Sequence, residues 1–305
     1  MKLGETAALS HPGRRRRHNE DSYVVQPPLF AVADGMGGAK AGEVASGLAA
    51  AAVQESGSDG KTGEARVAAL IEEANRRVFR RATEDRAASG MGTTMTVALV
   101  EEDRVAIGHV GDSRAYLIRH GRLEQLTDDH SLVAELVRSG KLTPEEAESH
   151  PQRSVITRAL GTEADVDVDT FSVEAAPGDL FMLCSDGLTT MVDDQTILDA
   201  VERHRTNLDR AAKALVNAAN RGGGEDNITV VFFEVTGAEE PEEQTQETVA
   251  EEALPEVEQT MDGSDARESA AVVEEQRRGR VLPILAALAV LLMIAAAVLW
   301  LLGQT

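Results

Sequence analysis

Cysteine is nearly absent. Cys184 is the one thiol in the chain, so no disulfide can form within it, which fits a reducing compartment. It lies in the apolar run Asp179–Cys184 and reads as a small buried hydrophobe. Aromatic residues are scarce, at 3% beside 42% hydrophobic residues, so a core must rest on Ala, Val, Leu and Ile. Basic residues are outnumbered, with 30 Lys and Arg against 52 Asp and Glu and a net charge of −22. That balance argues against nucleic acid as a partner, because phosphate backbones are held by Lys and Arg. The N-terminus lacks an apolar stretch, so no secretory signal is expected.

The acidity is unevenly spread. Residues Gly237–Gln276 hold 14 Asp/Glu and one Arg, while Met1–Thr236 hold 38 acids and 26 bases. A stretch so charged and so poor in large apolar side chains cannot offset its ordering entropy by burial. Residues 237–280 are therefore expected to be a disordered acidic linker. Val281–Leu302 then gives 22 uncharged residues, VLPILAALAVLLMIAAAVLWLL. At about 1.5 Å per residue the run reaches roughly 33 Å, enough to span a bilayer core. Arg277, Arg278 and Arg280 precede it, and only 303–305 follow. The positive-inside rule then places residues 1–280 in the cytoplasm, with 303–305 outside a cell membrane crossed once. The alternative is a buried core helix, which such length with no polar face disfavours.

Periodicity predicts strands at Leu29–Ala33, Thr93–Val100, Arg104–Val110, Arg114–Arg119, Val166–Val173, Leu180–Cys184 and Asn227–Val235. Helices are expected over Gly42–Glu55, Ala65–Asp85, Ser131–Ser139, Gln195–Arg203 and Asn207–Arg221, and one opening at Pro144. The links Glu101–Asp103 and Gly111–Ser113 are too short for a crossover helix, so the three strands they join are expected to pair antiparallel. Strands in antiparallel groups with helices in pairs make an α+β layered domain over 1–236.

Acids recur at the expected strand ends. Asp34 follows LFAVA and precedes Gly35; Asp112 lies in GHVGDSRAY; Asp186 follows LFMLCS; Asp226 follows three glycines. A lone Asp-Gly is ordinarily a turn residue. Four together, without paired cysteines, favour hard cations such as magnesium or manganese. The run Gly13–Arg17 (GRRRR) is either a solvated surface patch or a phosphate clamp, and guanidinium geometry suits the latter. His109, His130 and His150 fit no zinc spacing and read as local hydrogen-bonding residues.

These features resemble the metal-dependent type 2C protein serine/threonine phosphatases in their bacterial form. The resemblance is carried, in order, by RRHNEDS (Arg16–Ser22), FAVADGMGG (Phe30–Gly38), GMGTTMTVALV (Gly90–Val100) and HVGDSRAYLIR (His109–Arg119). It continues through LTDDHSL (Leu126–Leu132), HPQRSVITRALG (His150–Gly161), GDLFMLCSDGL (Gly178–Leu188) and GEDNITVVF (Gly224–Phe232). It implies a central antiparallel β-sandwich flanked by pairs of helices, with two or three Mn²⁺ or Mg²⁺ ions at one end. By position, Asp34 is implied to bridge two ions, joined by the Gly35 carbonyl, Asp186 and Asp226. Asp21 is implied to hold a metal-bound water, Asn227 to support the last carboxylate, Asp226, and Glu20 to have a supporting role. Arg16 is implied to bind the substrate phosphate. Asp112 is implied to hold a third ion with Asp186, and Ser154, on a flap over roughly Ser139–Arg158, to approach it. Two departures from the family's pattern stand out: Met36 occupies the place of a histidine often assigned as general acid in animal members, and Ala39 that of a histidine frequent in bacterial ones. The implied activity is hydrolysis of phosphoserine and phosphothreonine on proteins by a hydroxide held between two ions, opposing membrane Ser/Thr kinases. The alternatives are a catalytically weak phosphoprotein-binding scaffold on the same fold, or a metal-dependent nuclease, which the acidic surface disfavours.

Overall fold

The computed structural model describes residues 1–37, 41–57 and 60–237. The expected linker beyond residue 237, the apolar run 281–302, the tail 303–305 and Ala39 lie outside the described residues. Among those described, no helix is long and apolar enough to cross a membrane.

The strands are β1 (Lys2–His11), β2 (Asp21–Gln26), β3 (Leu29–Met36), β4 (Gly92–Thr93), β5 (Met95–Val100) and β6 (Arg104–Val110). They continue with β7 (Arg114–Arg119), β8 (Arg122–Gln125), β9 (Asp169–Glu174), β10 (Leu180–Cys184) and β11 (Ile228–Thr236). One antiparallel sheet runs β1-β11-β10-β7-β8 and the other β2-β3-β5-β6-β9, with β4 alongside β3. The helices are α1 (Ala41–Gln54), α2 (Gly63–Glu84), α3 (Leu132–Arg138), α4 (Pro144–Glu148), α5 (Asp186–Thr189), α6 (Asp194–Arg203) and α7 (Leu208–Gly222).

Alternation along the strands sorts side chains into three cores. Phe30, Val32, Ala98 and Ile107 of one sheet meet Leu117, Phe181, Leu183, Val231 and Phe233 of the other. Phe30 and Phe181 stack on Phe233 at centroid distances of 4.3 and 5.1 Å. The intervening residues point outward. Ala31, Ala33, Val97 and Ala106 are covered by α1 and α2; Met182, Cys184, Val230 and Phe232 are covered by α6 and α7. The result is the expected sandwich, helix pair on sheet on sheet on helix pair. Cys184 is fully buried, and burial pushes its thiol up to about 12, so it packs as a hydrophobe.

The expected pairing of β6 with β7 is not formed. β6 pairs with β5 and β9, and β7 with β10 and β8. The link Gly111–Ser113 instead carries the chain from one sheet to the other. Gly111 makes the step at φ 112°, where a Cβ would meet Thr94 at 2.5 Å; only glycine fits there. The expected strand Thr93–Val100 breaks at Thr94, whose Oγ1 accepts a bond from Asp34 N at 3.0 Å. The expected strand from Val166 begins at Asp169, because Val166 and Val168 pack against the helix side of the core instead.

Candidate metal centre

Both sheets and their crossing deliver acids to one end of the sandwich. Asp21 opens β2 directly opposite Asp34 on β3. Asp186 begins α5 just after β10, and Asp226 precedes β11 by two residues. Asp112 sits on the crossing between the sheets. Asp34, Asp112, Asp186 and Asp226 line a cavity of about 520 Å³ together with Arg16, Arg17, His18, Glu20, Gly35, Met36, Gly37, Ser154 and Ile156. The distant residues singled out in the sequence thus converge, flap residue Ser154 included. Gly35 can sit there because it has no side chain: a Cβ would meet the Gly42 carbonyl oxygen at 2.1 Å, where α1 begins.

Two expected residues lie behind the cavity wall. Asp21 Oδ2 accepts hydrogen bonds from Thr229 Oγ1 at 2.6 Å and Ser185 Oγ at 2.8 Å. Asn227 is the joint of the site. Its backbone N–H donates to Asp226 Oδ1 at 2.8 Å, and its Oδ1 accepts from Glu20 N at 2.7 Å. Its Nδ2 donates to the carbonyls of Pro12 and His18 at 3.1 and 3.0 Å. The arginine loop is thereby fastened to the start of β11. Of the run Arg14–Arg17, Arg16 makes the ion pair with Asp226, at 2.7 Å.

The acids repel one another and burial disfavours their charge. Burial, then Asp21 and Asp186, push Asp34 well above the usual carboxylate range. Burial pushes Asp186 up to about 6, with Asp226 next in effect. Asp112 is pushed up to about 8, by burial and then Asp186. Asp21 rises to about 7 through burial, against the two hydroxyl donors that pull it down. Asp21 Oδ1 and Asp186 Oδ1 are buried without a hydrogen-bond partner. Clustered anions with unused oxygen lone pairs are the donor set of a hard divalent cation. Among the described residues no three His, Cys, Asp or Glu side chains are grouped tightly enough to hold an ion by themselves. The open cleft suits an ion that keeps several waters and takes one or two carboxylates at a time. The residues fit such ions.

Sequence reasoning missed the residues that hold the acids in place. Ser185 and Thr229 position Asp21, and the side chain of Thr93 donates to the Asp34 carbonyl at 2.8 Å. His130 takes the N–H of Gly111 on its Nδ1 at 3.0 Å and gives its own backbone N–H to the Gly111 carbonyl at 2.7 Å. That clamps the turn carrying Asp112. His109 bonds Thr96 Oγ1 at 2.9 Å, and burial lowers it to about 4. The hydrogen-bonding reading of these histidines holds. A signal was present: Ser185, Thr229 and His109 each lie within three residues of a candidate acid, and Thr93 and His130 lie inside quoted motifs.

A two-sheet sandwich with hard oxygen donors and an arginine at its open end defines the class of metal-dependent phosphohydrolases. The chain belongs to the protein phosphatase 2C family, whose pattern matches residues 14–220. It is 41% identical over 233 residues to the serine/threonine phosphatase stp of Listeria monocytogenes, covering 73% of this chain and 92% of that protein. The crystal structure of the Mycobacterium tuberculosis serine/threonine phosphatase PstP/Ppp is similar at a TM-score of 0.73 and 42% identity, over 77% of this chain and 100% of that one. A PstP catalytic domain in complex with two manganese ions is similar at a TM-score of 0.70 and 40% identity, over 77% and 99% of the two chains.

Proposed function

We infer that this cleft removes phosphate from phosphoserine and phosphothreonine in proteins. The observation that carries the reading is the convergence of four carboxylates from both sheets on a cavity that also holds Arg16. When bound, two divalent ions supply a water activated for attack and neutralise charge developing on the phosphoryl oxygens. Asp34, Asp186, Asp226 and the Gly35 carbonyl would hold that pair, with Asp21 behind them orienting a coordinated water. Asp112 and Asp186, approached by Ser154, would hold a third ion. Arg16 orients the phosphate, its guanidinium already steered toward the acids by Asp226. Met36 lines the cavity and cannot donate a proton, so the leaving alkoxide takes its proton from water or from another group in the cleft.

The test is hydrolysis of a phosphothreonine peptide by the whole chain. Turnover should require Mn²⁺ or Mg²⁺, stop with EDTA, and fall at least a thousandfold in Asp34→Ala. Turnover that survives EDTA would rule the reading out, and peptide binding without turnover would favour the scaffold alternative. Two finer parts of the reading rest on sequence alone. The apolar run 281–302 behind three arginines supports a membrane tether with the catalytic domain in the cytoplasm. A tethered phosphatase would meet membrane-bound Ser/Thr kinases, which are the substrates we propose. Fractionation checks the tether: the full chain should sediment with membranes and resist carbonate extraction, and recovery in the soluble fraction would remove it.

A further inference from the structure

Beside the metal centre lies a second concavity, of about 360 Å³, lined by His11, Arg14, Asn217, Asn220 and Arg221. We propose that it docks a second anionic group of the substrate, so that the preferred targets are proteins phosphorylated twice within a few residues. The proposal rests on the phosphatase reading above and names its substrate class.

The lining contains no acid, in a chain whose net charge is −22. Among the described residues neither Arg14 nor Arg221 has a carboxylate partner; the one side-chain bond of Arg14 is a long one, 3.5 Å, to the Asn220 carbonyl. Both are exposed. Contrast Arg16, held by Asp226, and Arg114, held by Asp129 at 2.7 Å. His11 adds a donor. Its Nδ1 accepts the Gly13 N–H at 2.9 Å, so the neutral ring carries its proton on Nε2, available to an anion. One feature opposes the site, because Arg221 lies in the last turn of α7, where the helix contributes about half a negative charge. Two full guanidinium charges outweigh it.

Placement gives the site its role. Arg14 and Arg16 share one loop, and the N–H groups of Arg14 and Arg15 are both tied to the Gly224 carbonyl, at 2.8 and 3.1 Å. Gly224 is two residues from the ligand Asp226. An extended peptide advances about 3.3–3.6 Å per residue. Arg14 stands two residues before Arg16 on that loop, so the spacings to test between the two phosphates run from two to four residues. A second phosphate at Arg14 and Arg221 would accept charge-assisted bonds from the guanidinium groups, and a carboxylate would do so more weakly.

The experiment compares threonine phosphopeptides bearing phosphothreonine, glutamate or alanine two, three or four residues away. At low ionic strength the doubly phosphorylated peptide should show a kcat/KM about five- to tenfold above the alanine peptide at the best spacing. The gain should lie in KM, because it comes from binding away from the reacting atoms. Arg221→Ala should erase the gain, Arg221→Glu should reverse it and Arg221→Lys should keep most of it, all with ordinary turnover of the alanine peptide. A glutamate peptide that lags behind the doubly phosphorylated one supports the proposal, and one that matches it would overturn the preference for a second phosphate. An unchanged preference in Arg221→Glu, or a wild-type ratio of one at every spacing, would overturn it. Failure of the wild type to hydrolyse any of the peptides would instead strike at the phosphatase reading.

Discussion

Removing metal should make this protein lose stability as pH rises from 7 to 8.5. Asp21, Asp34, Asp112 and Asp186 have folded pKa values above their unfolded ones, so the fold binds protons that the unfolded chain releases. Their contribution is complete below about pH 4 and drains away as pH climbs through the folded values. For Asp112, raised to about 8, the loss between pH 7 and 8.5 is about 1 kcal/mol. For Asp21, raised to about 7, it is a fraction of that. Asp34, also raised, adds to the same slope. His109 and His130 are lowered by burial, so they act the other way, but mainly below their unfolded pKa of about 6.5. What remains of their effect above pH 7 is small beside the loss at Asp112. A loss of about 1–2 kcal/mol corresponds to a fall in Tm of about 2–8 °C for a domain of this size. Calorimetry in EDTA at the two pH values gives the slope, and excess Mg²⁺ should abolish it, because ligands lose their protons on binding metal. A Tm in EDTA that stays level or rises over this window would refute the account of the centre as an unneutralised acid cluster.

Arg16→Ala should raise KM about tenfold with a smaller change in kcat, by steady-state kinetics on a phosphopeptide; an equal effect in Arg17→Ala alone would move the role by one residue. Asn227→Ala deletes three buried side-chain hydrogen bonds and should cost about 2–4 kcal/mol in chemical denaturation. It should also raise KM as the arginine loop loosens, and wild-type values for both would show that the loop is held by other contacts. Arg114→Met breaks the two-pronged pair with Asp129 at 2.8 and 2.7 Å and should destabilise by about 2–4 kcal/mol. Adding Asp129→Leu should recover most of that, since the penalty belongs to the stranded carboxylate.

Much of the site was legible because its acids stand beside short apolar strands and glycines, a local pattern. The strands with both faces buried, β3, β10 and β11, could be read for the same reason. β1 was not legible: of its ten residues only Ala7 is buried, and its register comes from pairing with β11 rather than from its own alternation. β2 and β8 are short and half exposed, so neither shows a clear period. The pairing error at β6 and β7 has a different cause. Loop length cannot reveal that a three-residue link changes sheets, because that depends on the crowding of Gly111 against Thr94. The bonds made by the supports of the acids, Ser185, Thr229 and His130, become visible only when chain segments many residues apart are side by side.

The division of the acids between the layers has a consequence for assembly. Asp21 and Asp34 arrive with one sheet, Asp186 and Asp226 with the other, and Asp112 on the strap between them. Neither sheet alone carries the full ligand set, so the two-ion centre is complete only once both sheets have docked. A partly folded chain therefore holds an incomplete centre.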